Sequence, residues 1–156
     1  MAIIGLAVWT PATASDLHRM RDSRCAECHS HSADFARKYL KLEDGKLIGR
    51  HPVRDVRIFL GKHYPPGNAV ERIYAMLKAQ VETEPRFAEE CADCHERAAI
   101  LVRESILRKQ DKLWLKQSGE PLHEFLPGHQ GLTNEDMDFY LALFSRVEQE
   151  VFGKDP

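Results

Sequence analysis

Apolar residues recur three and four positions apart over most of the chain, the spacing that gathers them on one face of an α-helix. Ile73, Leu77 and Val81 mark the buried stripe of a helix over 69–82. Asn68 stands at its N-cap with Glu71 three residues on, the sequence form of a capping box. Phe139, Leu143, Val147 and Val151 mark a last helix, opened by Thr133 with Asp136 as its partner. Ser15 to Arg24 predicts a short helix, and Phe35, Tyr39 and Leu42 share one side of a helix from Cys28 to Leu42, which Asp44-Gly45 breaks. Pro85 and Phe87 open another short helix. Apolar pairs at 100–101, 106–107 and 113–114 extend one from Cys94 to about Lys116, where Ser118-Gly119 stops it. His63-Tyr64-Pro65-Pro66-Gly67 reads as a loop, because consecutive prolines break a helix, and Pro127-Gly128-His129 reads as a second loop. No stretch alternates strongly enough to predict a sheet. The expected class is all-α, with little or no β-sheet.

The pattern also repeats on a larger scale. A shift of 66 residues, without any gap, lays CAECH at 25–29 on CADCH at 91–95 and FLGKH at 59–63 on FLPGH at 125–129. Over 25–82 there are 16 identities in 58 positions, enough to read the chain as a tandem duplication. The expected units are 15–83 and 84–156.

Residues 1–14 stand outside that plan. MAIIGLAVWTPATAS has an apolar run followed by small residues at alternate positions, which predicts the remnant of a secretory signal peptide. The run is well short of the ~20 residues a membrane-spanning helix needs, so no span is expected in the mature chain. Hydrophobic residues make up 43% of the sequence and charged residues 29%, so it folds rather than staying disordered. A formal net charge of −2 offers no concentrated basic face for nucleic acid.

All four cysteines lie in the two five-residue repeats. A Cys-x-x-Cys pair is usually a redox pair or a ligand pair rather than a scaffold disulfide, and the gap between the two pairs is far longer than the ~15–20 residues of a usual zinc ribbon. None of these readings explains why His follows the second cysteine both times. Covalent haem does. On a helical turn Cys25 and Cys28 face one way and each bonds one haem vinyl group, while His29 presents its imidazole to the iron; Cys91, Cys94 and His95 repeat the arrangement. The expected cofactors are two covalently bound haem c groups.

The register then sorts the remaining histidines. His18, His31, His51 and His123 fall on Glu84, Arg97, Gln117 and Arg57, and are expected at the surface. His63 falls on His129, which makes these two the candidate second iron ligands. Methionine is the competing ligand, but Met76 falls on Ala142 and Met137 on Glu71, and Met20 precedes the first motif. Phe59, Leu60, Phe125 and Leu126 flank the second histidines and are expected to pack on the haems and exclude water.

With these residues in view, the chain resembles a two-haem c-type cytochrome built from two pared-down class I cytochrome c units. LPGHQGLTNEDMDFYLALFSRV, at 126–147, is similar to that family's ligand loop and last helix, with Tyr140 as its aromatic. The family usually places Met in that loop, and here the loop offers His. The resemblance implies attachment of haem outside the cytoplasm, hence a periplasmic protein. Two imidazoles favour the ferric state and leave no vacant position on the iron. The expected function is therefore low-potential electron transfer between transient redox partner proteins, not catalysis. The alternatives are a peroxidase-like enzyme or gas sensor with one displaceable histidine, and a structural zinc module. Basic residues at 50–57 and 103–116 are expected to form solvated helix faces or to steer an acidic partner. The sequence leaves the oligomeric state open.

Overall fold

Asp16 opens the first helix by accepting a hydrogen bond from the Arg19 N–H at 2.9 Å. From there the computed structural model describes residues 16–63, 69–129 and 131–153. The chain runs through α1 (Leu17–His29), α2 (Ser32–Tyr39), β1 (Leu40–Glu43), β2 (Lys46–Gly49), α3 (Val56–His63) and α4 (Ala69–Glu82). It continues through α5 (Arg86–Glu90), α6 (Ala98–Ser105), β3 (Ile106–Lys109), β4 (Lys112–Leu115), α7 (Leu122–Phe125), a 3-10 turn (Leu126–Gly128) and α8 (Asn134–Phe152). The chain is mainly helical, as expected. α2, β1 and β2 recur 66 residues later as α6, β3 and β4, so the sequence repeat is a structural one. The expected signal segment at 1–14, the Asn68 cap and Tyr64 to Gly67 lie outside the described residues.

The helix expected over 69–82 is α4, and the expected capping box opens α8. There the Thr133 N–H donates to Asp136 at 2.8 Å, and the Asp136 N–H donates to the Thr133 hydroxyl at 3.3 Å. The sheet content is small, two short hairpins, but they replace parts of two expected helices. The helix expected from Cys28 to Leu42 is cut at Ser30, whose φ is +54°, and it becomes a strand at Leu40. β1 pairs antiparallel with β2, Leu40 opposite Gly49 and Glu43 opposite Lys46. Asp44 and Gly45 join them at φ +49° and +74°, the two left-handed residues a type I′ hairpin turn requires. The helix expected from Cys94 to Lys116 breaks in the same way. α6 gives way to β3 and β4, joined by Gln110 and Asp111 at φ +50° and +58°. Nothing lies within 4 Å of a Cβ built on Gly45, so Gly45→Ala tests backbone strain alone. It is expected to cost about 1 kcal/mol by urea unfolding.

Two apolar cores result. The first gathers Leu17, Ala36, Leu47, Val56, Ile73 and Met76; the second gathers Phe87, Val102, Ile106, Leu113, Tyr140 and Val147. Polar contacts tie them together where α1 meets α8. His18 Nε2 lies 2.8 Å from the Glu150 carboxylate, and Glu150 also accepts from Arg146 at 2.7 Å. Arg103 pairs with Asp16 at 2.6 Å, and Arg97 with Asp22 at 2.8 Å. His18 thus departs from the surface position expected of it, being only 8% exposed. It is buried because the first and last helices pack against each other there and Glu150 supplies its partner. His51 and His123 are exposed, as expected. The basic stretch at 103–116 is not one helical face. Arg103 is bound to Asp16, and Arg108 to the buried Glu148 at 2.7 Å.

Candidate functional site

The two repeats deliver the same residue types in different local backbones. In the first, Cys25, Cys28 and His29 occupy the last two turns of α1. A helix end leaves carbonyls without intrahelical partners. Arg21, one turn earlier, fills that need, its guanidinium donating to the carbonyls of His29, at 3.3 Å, and Ser30. Burial holds the Arg21 guanidinium below its ordinary pKa, against the opposing pull of Cys25 and Asp22. Burial, with the Arg21 charge and His63, also holds the His29 imidazole below its usual value, which favours the neutral, metal-binding form. In the second repeat α5 stops at Glu90, and the motif forms a single turn. The N–H groups of Cys94 and His95 both reach the Cys91 carbonyl, at 3.2 and 2.9 Å.

The expected second histidines arrive from α3 and from the turn after α7. His63 is the last residue of α3 rather than part of a loop, and Phe59, one turn back, stacks on its ring at 4.5 Å. His129 follows the 3-10 turn, with Phe125 at 5.1 Å. The centroids of the His95 and His129 rings are 6.1 Å apart. Two imidazoles on opposite sides of one metal, each nitrogen about 2 Å away, have centroids roughly 6 Å apart.

Beside these rings a cavity of about 1080 Å³ is lined by Cys91, Cys94, His95, His129, Phe125 and Leu126, all expected site residues. That volume sits at the upper end of ligand pockets, which run about 300–1,000 Å³. The first repeat brings Cys25, His29, His63, Phe59 and Leu60 together around a cavity of only about 60 Å³. Cys28 is exposed and does not line it. Met20 lines this cavity, and Met76 is buried in the first core. All four cysteines are free thiols. Among the described residues no three His, Cys, Asp or Glu side chains gather as a bare metal ion requires.

Sequence reasoning missed a polar cluster on the wall of the second cavity. The Tyr140 hydroxyl, on a ring 1% exposed, donates to Glu90 at 2.7 Å and accepts from the Cys91 thiol at 3.4 Å. Burial, the Cys91 thiol and Glu90 push this phenol well above its usual range. Arg86 clasps Glu90 at 2.8 Å and also reaches Asp136, joining α5 to the start of α8. The spacing of Arg86 and Glu90, four apart, was the available signal. Tyr74, in register with Tyr140, accepts instead from the Leu47 N–H at 2.9 Å and braces the first hairpin.

Hydrogen bonds from Thr133 and then Arg86 depress Asp136 to about 2. Its folded pKa lies below the unfolded value, so its contribution is complete above about pH 4 and is lost as pH falls towards 2. Thr133→Ala is therefore expected to flatten the acid limb of thermal stability between those limits, read as melting temperature against pH.

No family model matches the chain, and neither a curated protein nor a solved structure matches it. Among the described residues no helix is long and apolar enough to cross a membrane.

Proposed function

We propose that this chain is a periplasmic two-haem c-type cytochrome that carries electrons between redox partner proteins. The observation that carries this reading is the pair of register-matched histidines, His95 and His129, 6.1 Å apart beside a large cavity lined by Cys91 and Cys94. These residues fit a porphyrin iron: two thiols for its vinyl groups, two imidazoles for its axial positions and room between them. The first site offers the same donors, with support from the repeat register. Its cavity, about 60 Å³ and without Cys28 on its wall, is too small for a porphyrin, so the fit of residues to haem rests on the second site.

When bound, each haem supplies a one-electron centre that alternates between ferric and ferrous. Cys25, Cys28, Cys91 and Cys94 would hold the two groups covalently. His29 with His63, and His95 with His129, would hold the iron and favour its ferric form. Phe59, Leu60, Phe125 and Leu126 exclude water from the cavities. A mature, exported preparation is expected to hold two irons per chain, retain its colour through denaturing electrophoresis and take up no carbon monoxide when reduced. A colourless protein, or one holding zinc in place of iron, overturns the proposal; rapid carbon monoxide uptake points to the sensor or peroxidase-like reading.

A further inference from the structure

The wall of the second cavity carries a chain of hydrogen bonds that ends on a cysteine. Thr133 holds Asp136 at 2.6 Å, Asp136 binds Arg86, and Arg86 clasps the Glu90 carboxylate at 2.8 and 3.0 Å. Glu90 accepts from the Tyr140 hydroxyl at 2.7 Å, and the Tyr140 oxygen accepts from the Cys91 thiol at 3.4 Å. Arg86, Glu90, Cys91, Asp136 and Tyr140 all line the cavity.

This chain fixes the direction of its last bond. Hydrogen bonds from Arg86 and then Tyr140 hold the Glu90 carboxyl below its usual range, so it stays ionised and can only accept. Tyr140 has one hydroxyl hydrogen and donates it to Glu90, which leaves its oxygen as an acceptor. The Cys91 S–H therefore points at the wall. Its sulfur lone pairs, the electrons that form a new bond, are left free for a group in the cavity. Cys94 lines the same cavity but is exposed and has no such partner among the described residues. Tyr74, the register counterpart of Tyr140, accepts from the Leu47 N–H at 2.9 Å instead, so the first motif lacks this arrangement.

We infer that Tyr140 is a positioning residue for haem attachment at the second site: it presets the Cys91 sulfur, so that Cys91 bonds to a vinyl group ahead of Cys94. This rests on the haem reading of that site. In the step a C–S bond forms and the vinyl π bond breaks. The hydrogen lost from sulfur is matched by one gained at the neighbouring vinyl carbon, so the addition consumes no oxidant or reductant.

The test mixes the full-length chain, thiols reduced, with ferrous iron protoporphyrin IX in the absence of oxygen. Unreacted thiols are alkylated at successive times and counted by peptide mass. Cys91 is expected to disappear before Cys94. Tyr140→Phe keeps the ring and is expected to slow Cys91 about fivefold relative to Cys94, the effect of losing one hydrogen bond. Glu90→Ala lets the hydroxyl turn and donate to the sulfur, and the same change of ratio is expected. Tyr74→Phe is the control, expected to leave the ratio as in the parent. A loosened fold changes both rates together, whereas positioning changes their ratio. Equal rates in the parent, a ratio unchanged by Tyr140→Phe, or no covalent attachment in the parent overturns the inference. The haem reading is judged separately on the exported protein: covalent haem there retains it, and a colourless protein overturns both.

Discussion

His129→Ala is expected to open one of two irons to carbon monoxide and leave the other closed. His129 has a specific partner across the second cavity, the His95 ring 6.1 Å away, and it alone matches His63 in the repeat. Alanine at 129 leaves His95 as the single imidazole. The neighbouring apolar residues, Phe125 and Leu126, provide no replacement donor. The reduced variant should bind one carbon monoxide per chain, against none for the parent, and its oxidised spectrum should shift to high spin at half the haem. His123→Ala is the control, since His123 is exposed with its ring 3.7 Å from Glu124. Uptake unchanged by His129→Ala would remove His129 from the iron.

The largest expected loss of stability comes from Tyr140→Ala. The ring is almost wholly buried, stacks on Phe144 at 5.8 Å and meets Phe139 edge-on at 5.2 Å. Removing a buried aromatic costs about 3–5 kcal/mol, from lost burial and from the cavity left behind. Tyr140→Phe keeps the packing and gives up the bond to Glu90. Arg86 still holds the Glu90 carboxylate, so the expected cost is only about 1 kcal/mol. Urea unfolding of the two variants separates the contributions. A Phe variant as unstable as the Ala variant would place the stabilisation in the hydroxyl rather than the ring.

The long amphipathic helices were legible because their signals are redundant. α8 has an apolar residue every fourth position, a capping threonine and an aspartate three residues on, and all agree. The hairpins were hidden because each strand is four residues long, too short to establish alternation. Leu40 is buried one turn after the buried Ala36, as a continuing helix would also have it. The Asp44-Gly45 pair carried the correct message, a turn between paired strands, but it was read as a helix stop. The candidate site residues were chosen through the repeat, which acts as an internal comparison, and the structure brings Cys91, Cys94, His95 and His129 around one cavity. The Tyr140–Glu90–Arg86 cluster was not legible that way, because its members have no counterparts of the same type apart from Tyr74, and that residue serves another partner. His18 was misjudged for a related reason: its burial depends on α8, more than a hundred residues away.

The meeting of α1 with α8 has a consequence for how the duplicated chain can change. The helix that carries Cys25 and the one that closes the second repeat share His18, Glu150 and Arg146 in one buried charge cluster. Cutting the gene at the repeat boundary would part His18 from Glu150, which would keep Arg146, and Asp16 from Arg103, and would open that seam to water. Each copy keeps its own apolar core, so an excised copy should still fold but melt below the same repeat in the full chain.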